Sequence, residues 1–157
     1  MRTTVNPITN DVFDTRDLID YIEHIESDII DNWNDLSDDE HQAECYDDIF
    51  GTSGYEFADD VSEIFDTFFE DSHAEIEELE EIKSFGDELS RASDYTYGCT
   101  VISENYFTEY CEELLKDCGY IPQDFPSWIE LDFEATADKM KVDYFIADYN
   151  GTTYYIR

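Results

Sequence analysis

Between Arg16 and Lys83 this chain carries no lysine or arginine, while aspartate and glutamate recur throughout. Threaded through the same stretch are Leu18, Ile22, Ile25, Ile29, Trp33, Tyr46, Ile49, Phe50, Tyr55, Phe57, Ile64, Phe65, Phe68, Phe69, Ile76 and Leu79. An unstructured acidic segment is poor in such residues, because it has nothing to bury. A dense anionic surface combined with a hydrophobic stripe points instead to amphipathic helices that hold their charges in fixed positions.

The spacing agrees. Leu18, Ile22, Ile25 and Ile29 step by four, three and four, one face of an α-helix, and Asp17, Asp20, Glu23, Asp28 and Asp31 fall off that face. Residues before Asn10 read as a loose arm. Asp14-Thr15 then offers an N-cap, with Asp17 favourable in the first turn, and this helix is expected to end near Asn32–Asn34. Ser37 and Glu40 have the spacing of a capping box and open a second helix to about Phe50, where Gly51-Thr52-Ser53-Gly54 breaks the chain. A third helix over Glu56–Glu70 turns Phe57, Val61, Ile64, Phe65 and Phe68 inward and Asp59, Asp60, Glu63 and Asp66 outward. Asp71-Ser72 caps a fourth, from His73 to about Arg91, whose stripe is Ile76, Leu79, Ile82 or Lys83, and Leu89; Gly86 weakens it.

The character of the sequence changes near Ser93. Tyr95–Ile102 is rich in Tyr, Thr and Val and reads as a strand. Ser103 or Glu104 starts a helix to Cys118, ended by Gly119, and Pro122 and Pro126 mark a loop. A short helix follows over about Asp132–Lys141, with Phe133, Ala137 and Met140 inward. Tyr144–Tyr149 and Thr152–Ile156 flank Asn150-Gly151, a strong hairpin signal. The expected fold class is α+β: an acidic, mainly helical region over residues 1–92, packed with a small mixed α/β region over 93–157 that ends in a β-hairpin.

Charge narrows the function. Forty-two acidic residues against 8 basic ones give a formal net charge of −34. Self-repulsion of that size destabilises a compact state, so the charge is expected to have a use. Nucleic acid and anionic membranes are excluded as direct partners, because both need Lys and Arg to meet their phosphates. The partner should be basic. The opening Met1-Arg2-Thr3-Thr4-Val5-Asn6-Pro7 lacks the apolar core of a secretory signal, and no apolar run is long enough to span a bilayer. Cys111 and Cys118, seven apart in one expected helix, would have Cα atoms about 10.5 Å apart at a rise of ~1.5 Å per residue. That exceeds the roughly 7 Å limit of a disulfide. With Cys45 and Cys99 they read as reduced thiols of a cytoplasmic protein.

Catalytic signatures are missing. There is no Gly-rich phosphate loop, no G-x-S-x-G and no H-E-x-x-H; His73-Ala74-Glu75 lacks the second histidine of a metalloprotease helix. So many carboxylates make any Asp/Glu pair uninformative. Asp38-Asp39-Glu40 and Asp47-Asp48 could hold loose counterions, but no stretch supplies the ligand alternation, sixth-position glycine and twelfth-position glutamate of an EF-hand. The cysteines lack C-x-x-C pairing, so no zinc site is expected either. No cofactor is implied. Adaptation to high salt would also give an acidic surface, but here large apolar residues are kept and the cation-free run is concentrated in one part.

What remains is charge as the working part. B-form DNA presents one negative charge per roughly 1.7 Å of axis, both strands counted. Helical spacings such as Asp17, Asp20, Glu23 and Asp28 set carboxylates about 4.5 to 7.5 Å apart along the axis. Two or three such helices side by side approach the charge density of a duplex and would fill the basic groove of a DNA-binding protein. The expected partner-binding carboxylates are Asp17, Asp20, Glu23, Asp28, Asp31, Asp38, Asp39, Glu40, Asp47, Asp48, Asp59, Asp60, Glu63, Asp66, Glu70, Asp71, Glu75, Glu78 and Glu81.

The C-terminal residues add a resemblance. Trp128-Ile129-Glu130-Leu131-Asp132-Phe133-Glu134-Ala135-Thr136-Ala137-Asp138-Lys139-Met140, then Asp143-Tyr144, then Asp148-Tyr149-Asn150-Gly151-Thr152-Thr153-Tyr154-Tyr155-Ile156-Arg157, resemble the end of ArdA-type antirestriction proteins. Ser103–Tyr110 and Asp11–Ile19 resemble segments of small phage and plasmid relatives. The likeness covers roughly residues 93–157 and 11–31; the stretch from about Asn34 to Ser72 departs from it. It implies an elongated, acidic, often dimeric DNA mimic that occupies the DNA groove of type I restriction–modification enzymes inside a bacterial host. Two other readings stand beside it. One keeps the mimicry but directs it at another DNA-binding complex, such as a CRISPR effector or a host factor. The other is an acidic, chaperone-like module for a basic protein.

Overall fold

The computed structural model describes residues 5–37, 42–46, 48–49, 59–92 and 94–157, without the side chains of residues 59–63 and 65. The fold is α+β: a hairpin of two long helices, α1 (Thr15–Leu36) and α2 (Asp59–Leu89), and a four-stranded antiparallel sheet. The chain divides into two compact units, one around Asp20–Ser84, the other built from Asn6–Ile19 and Phe85–Arg157.

The first unit is helical. Tyr21, Ile25, Ile29 and Trp33 are its buried residues on α1; Ile22 is only half-buried, so the tyrosine replaces it on the inner face. Phe68, Ser72, Ile76, Leu79 and Ile82 are buried on α2. Trp33 meets Phe68 edge-on at 5.3 Å between ring centroids, and the Tyr21 hydroxyl donates to Glu78 at 2.9 Å. Burying Trp33 and Phe68 together stabilises this unit by several kcal/mol, on the order of 2–3 for each ring.

Two expected elements are corrected here. The third and fourth helices are one: α2 runs 31 residues straight through Asp71-Ser72. No glycine or proline interrupts residues 66–76, and Ser72 lies one turn from both Phe68 and Ile76 on the buried face, so burial overrides its capping preference. The second helix, from Ser37 to Phe50, is not formed over residues 42–45. There the side chain of Asn34 accepts from the Ala43 N–H at 2.7 Å and donates to the Ala43 carbonyl at 3.0 Å. A non-helical segment is thus clipped to the end of α1, which itself continues to Leu36, beyond the expected Asn32–Asn34. Tyr46, Asp48 and Ile49 are helical; residues 38–41, 47 and 50–58 of the expected helices lie outside the described residues.

The second unit carries the sheet, in the order β1 (Val12–Asp14), β2 (Thr100–Ser103), β4 (Thr152–Ile156), β3 (Phe145–Tyr149). One face, through Ile102 and Tyr155, packs on α3 (Phe107–Asp117) and α4 (Phe133–Met140), with Phe107 at 4.4 Å from the Tyr155 ring and Cys111 and Ala137 beside them. The other face gathers Phe13, Phe85, Tyr149 and Tyr154, with centroid distances from 5.1 to 6.5 Å. Asn150-Gly151 closes the β3–β4 hairpin with both φ angles positive, 52° and 81°, the signature of a type I′ turn.

Two readings of the N-terminal residues also change. Pro7–Thr9 is a short 3-10 turn capped by the Asn6 side chain, not a loose arm, and Val12–Asp14 is a strand. The expected strand over Tyr95–Ile102 is displaced: residues 94–97 turn, and β2 begins at Thr100. The cause is local. Thr15 Oγ1, fully buried, donates to the Tyr95 carbonyl at 2.7 Å and accepts from the Cys99 N–H at 2.9 Å, holding the turn against the start of α1. Gly98 there has φ +117°, and a Cβ on it would lie 2.7 Å from Arg16 Nε.

Candidate functional site

The candidate surface is built from the two long helices of the first unit. On α1, Asp20, Asp28, Asp31 and Asp35 are all exposed and fall within about 80° of the helix circumference at ~100° per residue. On α2, Asp66, Glu70, Glu77, Glu80 and Glu81 are exposed and fall within about 100°. Each stripe covers fifteen residue steps, about 22 Å of axis. One DNA strand sets about six phosphates over the same length. Each stripe therefore reaches roughly two-thirds or more of that charge, on a backbone held by its own hydrogen bonds.

A histidine sits inside each stripe and reaches the acid one turn further on. His24 Nε2 lies 3.4 Å from Asp28 Oδ2, and His73 Nε2 lies 2.9 Å from Glu77 Oε1. His73 also stands edge-on to Phe69 at 5.4 Å. Among the described residues of this unit the only lysine or arginine is Lys83. It is committed inward: Lys83 pairs with Glu26 and lies 4.3 Å from the centre of the Tyr46 ring. A half-buried pair stacked on an aromatic ring leaves no lysine or arginine among the described residues of this unit to neutralise the stripes.

The residues expected from the sequence are placed unevenly. Asp20, Asp28, Asp31, Asp66, Glu70 and Glu81 belong to the two stripes, and Glu23 flanks the first. Asp71, Glu75 and Glu78 follow one another on a different side of α2, with Glu78 half-buried and accepting from Tyr21. Asp17 is exposed in the first turn of α1, in the residues assigned to the other unit. Asp48 is exposed but engaged: its Oδ2 accepts from the Glu44 and Cys45 N–H groups at 3.0 and 3.1 Å, and these bonds hold its carboxyl below the usual range. Asp38, Asp39, Glu40 and Asp47 lie outside the described residues, as do the side chains of Asp59, Asp60 and Glu63. Sequence reasoning passed over Asp35, Glu77 and Glu80. Their signal was present, since each continues an i, i+3 or i, i+4 series of acids, but it emerges only once the helix ends are known.

In the second unit three of the cations pair with local acids. Arg16 forks onto Asp14 with bonds of 2.9 and 3.1 Å, Lys116 meets Glu112 at 2.7 Å, and Lys141 meets Asp138 at 2.9 Å. Asp14 is also the N-cap of α1, accepting from the Arg16 N–H at 2.8 Å; the Arg16 side chain, and then this bond, keep its carboxyl below the usual range. All four cysteines are free; Cys99 and Cys111 are buried, which pushes their thiols up, and Cys45 and Cys118 are exposed. Among the described residues no three metal-ligating side chains converge, and no helix is long and apolar enough to cross a membrane.

No protein-family model matches the chain, and no curated protein or solved structure is significantly similar to it.

Proposed function

We propose that this protein is a non-enzymatic, DNA-mimicking inhibitor that occupies the DNA-binding groove of a basic protein. The observation that carries the reading is the pair of exposed carboxylate stripes on α1 and α2, in a unit whose described residues turn their one lysine inward. An adventitious acidic surface would mix in cations for solubility and ion pairing; this one leaves its charge uncompensated. The charges sit on regular helices, so they need no ordering on binding and act as fixed stand-ins for phosphates. Association with a positive groove is then electrostatically steered and fast.

The target is a type I restriction–modification methyltransferase core, a choice that rests on the ArdA-type resemblance of residues 93–157. An antirestriction role in a bacterial cytoplasm, on behalf of phage or plasmid DNA, follows from that target. The test is an electrophoretic competition with a purified methyltransferase core and labelled cognate duplex, at low and at high salt. Displacement of the duplex that weakens with salt is the expected result. Binding that persists when the enzyme is already loaded with DNA would overturn the mimicry and favour a chaperone-like contact.

A further inference from the structure

The second unit holds a surface of the opposite character. After α3 ends at Asp117, Gly119 turns the chain with φ +77°, and a strap runs from Tyr120 to Asp132 before α4. The strap is tied at both ends. The Ile121 N–H donates to the Leu115 carbonyl at 3.1 Å, and Asp132 Oδ1 accepts from the Ala135 N–H at 3.0 Å, capping α4. Between these ties it makes two successive turns, each opened by a proline: Phe125 N–H to Pro122 O at 3.0 Å, and Ile129 N–H to Pro126 O at 3.1 Å. The prolines fix much of this conformation in advance, so little order is lost when something docks.

Beneath the strap lies a cavity of about 520 Å³, lined on its apolar side by Ile121, Phe125, Ile129, Leu131 and Phe133. Trp128, 81% exposed at the tip of the second turn, lies in the chain between the lining residues Ser127 and Ile129. A protected indole would serve packing; this one faces water. An exposed tryptophan on a turn that borders a partly apolar pocket is the composition of an interface anchor. The charges around it set the kind of partner. Lys116 of the lining is tied to Glu112, and among the described residues Asp117 of the lining and Asp124 and Glu130 on the strap form no ion pair.

We propose that this strap docks a short segment of a partner protein that carries an apolar side chain beside arginine or lysine. The apolar side chain enters the cavity, and the cation lies on the indole face of Trp128 within reach of the strap's carboxylates. A second copy of this chain would dock here against the repulsion of two formal charges of −34, and sedimentation in the test below detects it. A small apolar molecule would fill the cavity without using Trp128. The inference goes beyond the carboxylate stripes and does not depend on what they bind.

The chain supplies its own probe. It has two tryptophans, Trp33 at 2% exposure and Trp128 at 81%, so red-edge emission and acrylamide quenching report Trp128 with Trp33 as an internal constant. The full protein is titrated, at high salt, with three short tryptophan-free peptides: alternating Arg and Leu, alternating Arg and Gly, and alternating Glu and Leu. The Arg/Leu peptide is expected to blue-shift and protect Trp128. Its affinity, followed by anisotropy of a labelled peptide, should fall roughly tenfold or more in Trp128→Ala and in Leu131→Asp. Leu131 is 40% exposed, so that variant keeps the fold, checked by circular dichroism. An equal response to Arg/Gly would reduce the site to general charge attraction, and an equal response to Glu/Leu would make it a non-selective apolar patch. No response, or self-association that buries Trp128 in sedimentation, would overturn the proposal. None of these outcomes bears on duplex displacement by the stripes.

Discussion

The two units use charge in opposite ways. In the sheet-bearing unit, arginine and lysine are distributed among the acids and three ion pairs between 2.7 and 2.9 Å neutralise carboxylates where they stand. In the helical unit the one lysine among the described residues is folded inward, and the stripes have only two histidine side chains within reach, His24 beside Asp28 and His73 beside Glu77. Helices also tolerate this better than strands would. A carboxylate on a helix has like-charged neighbours at most a few tenths of a kcal/mol unfavourable per pair, and the backbone hydrogen bonds are unaffected. The contrast teaches that high net charge is not spread evenly as a solubility device. It is concentrated where the backbone is most regular.

The largest expected effect on binding separates these two deployments. Replacing Asp66, Glu70, Glu77, Glu80 and Glu81 of the α2 stripe together by their amides removes five exposed charges. At about 0.5 kcal/mol each, competition with duplex should weaken by roughly 50- to 100-fold at low salt, and its salt dependence should flatten. The same change at Glu104, Glu109, Glu134 and Asp143 of the other unit should leave competition within about twofold. The stripe variant should also be no less stable than the parent, because like-charge pairs one turn apart are relieved. Undiminished inhibition by the stripe variant would sink the mimicry.

The largest effects on stability concern the independence of the two cores. Trp33→Ala removes the ring that meets Phe68 and should cost about 3–5 kcal/mol; Phe107→Ala should cost a similar amount in the other unit. Amide hydrogen exchange separates them. Each substitution should strip protection first from the amides of its own unit, with Ile25 and Leu79 reporting one and Ile102 and Ile156 the other. Uniform loss from either substitution would mean that the chain unfolds as one block.

Much of this architecture was legible because it rests on local chemistry. The periodic apolar residues of α1, the Asn150-Gly151 turn, the Gly119 stop and the short helix after Asp132 each declare themselves within a few residues. What was not legible depends on distant partners. Val12–Asp14 is too short to show strand alternation and becomes a strand only because Thr100–Ile102 lies beside it. Residues 94–97 have strand-forming composition but are bent by Thr15, eighty positions earlier. Asn34 draws residues 42–43 out of an expected helix through a side chain whose reach no pattern announces. For the candidate site, the types of residue were readable from the start, but their grouping into two stripes required knowing that α2 is continuous. Ser72 was misread for an instructive reason: a good capping residue was buried mid-helix.

That misreading yields a stability test. Ser72 Oγ is buried and makes no hydrogen bond among the described residues. A desolvated hydroxyl without a partner is costly, and serine is also a poorer helix former than alanine. Ser72→Ala should therefore stabilise the helical unit by about 1 kcal/mol, read as an upward shift in the urea midpoint without a change in slope. A loss of stability would mean that the hydroxyl is satisfied in solution.

The smallest effect concerns the sheet-bearing unit, and its sign follows from Asp14. The Arg16 side chain, chiefly by its hydrogen bonds, and the Arg16 N–H hold the Asp14 carboxyl below its ordinary value in the folded protein. A carboxyl depressed by folding adds stability that is fully present above its unfolded value of about 3.9 and is lost as pH falls through its folded value. The difference between parent and variant isolates Asp14 from the other carboxylates. Asp14→Asn keeps an acceptor for the N-cap bond but removes the charge that Arg16 grips. The parent should exceed this variant in stability at neutral pH, and the gap should close below about pH 4. Both should respond alike to the charge of the stripes. A gap that stays constant into strong acid would assign the loss to the altered cap, and the fork of Arg16 onto Asp14 would then contribute nothing as an ion pair.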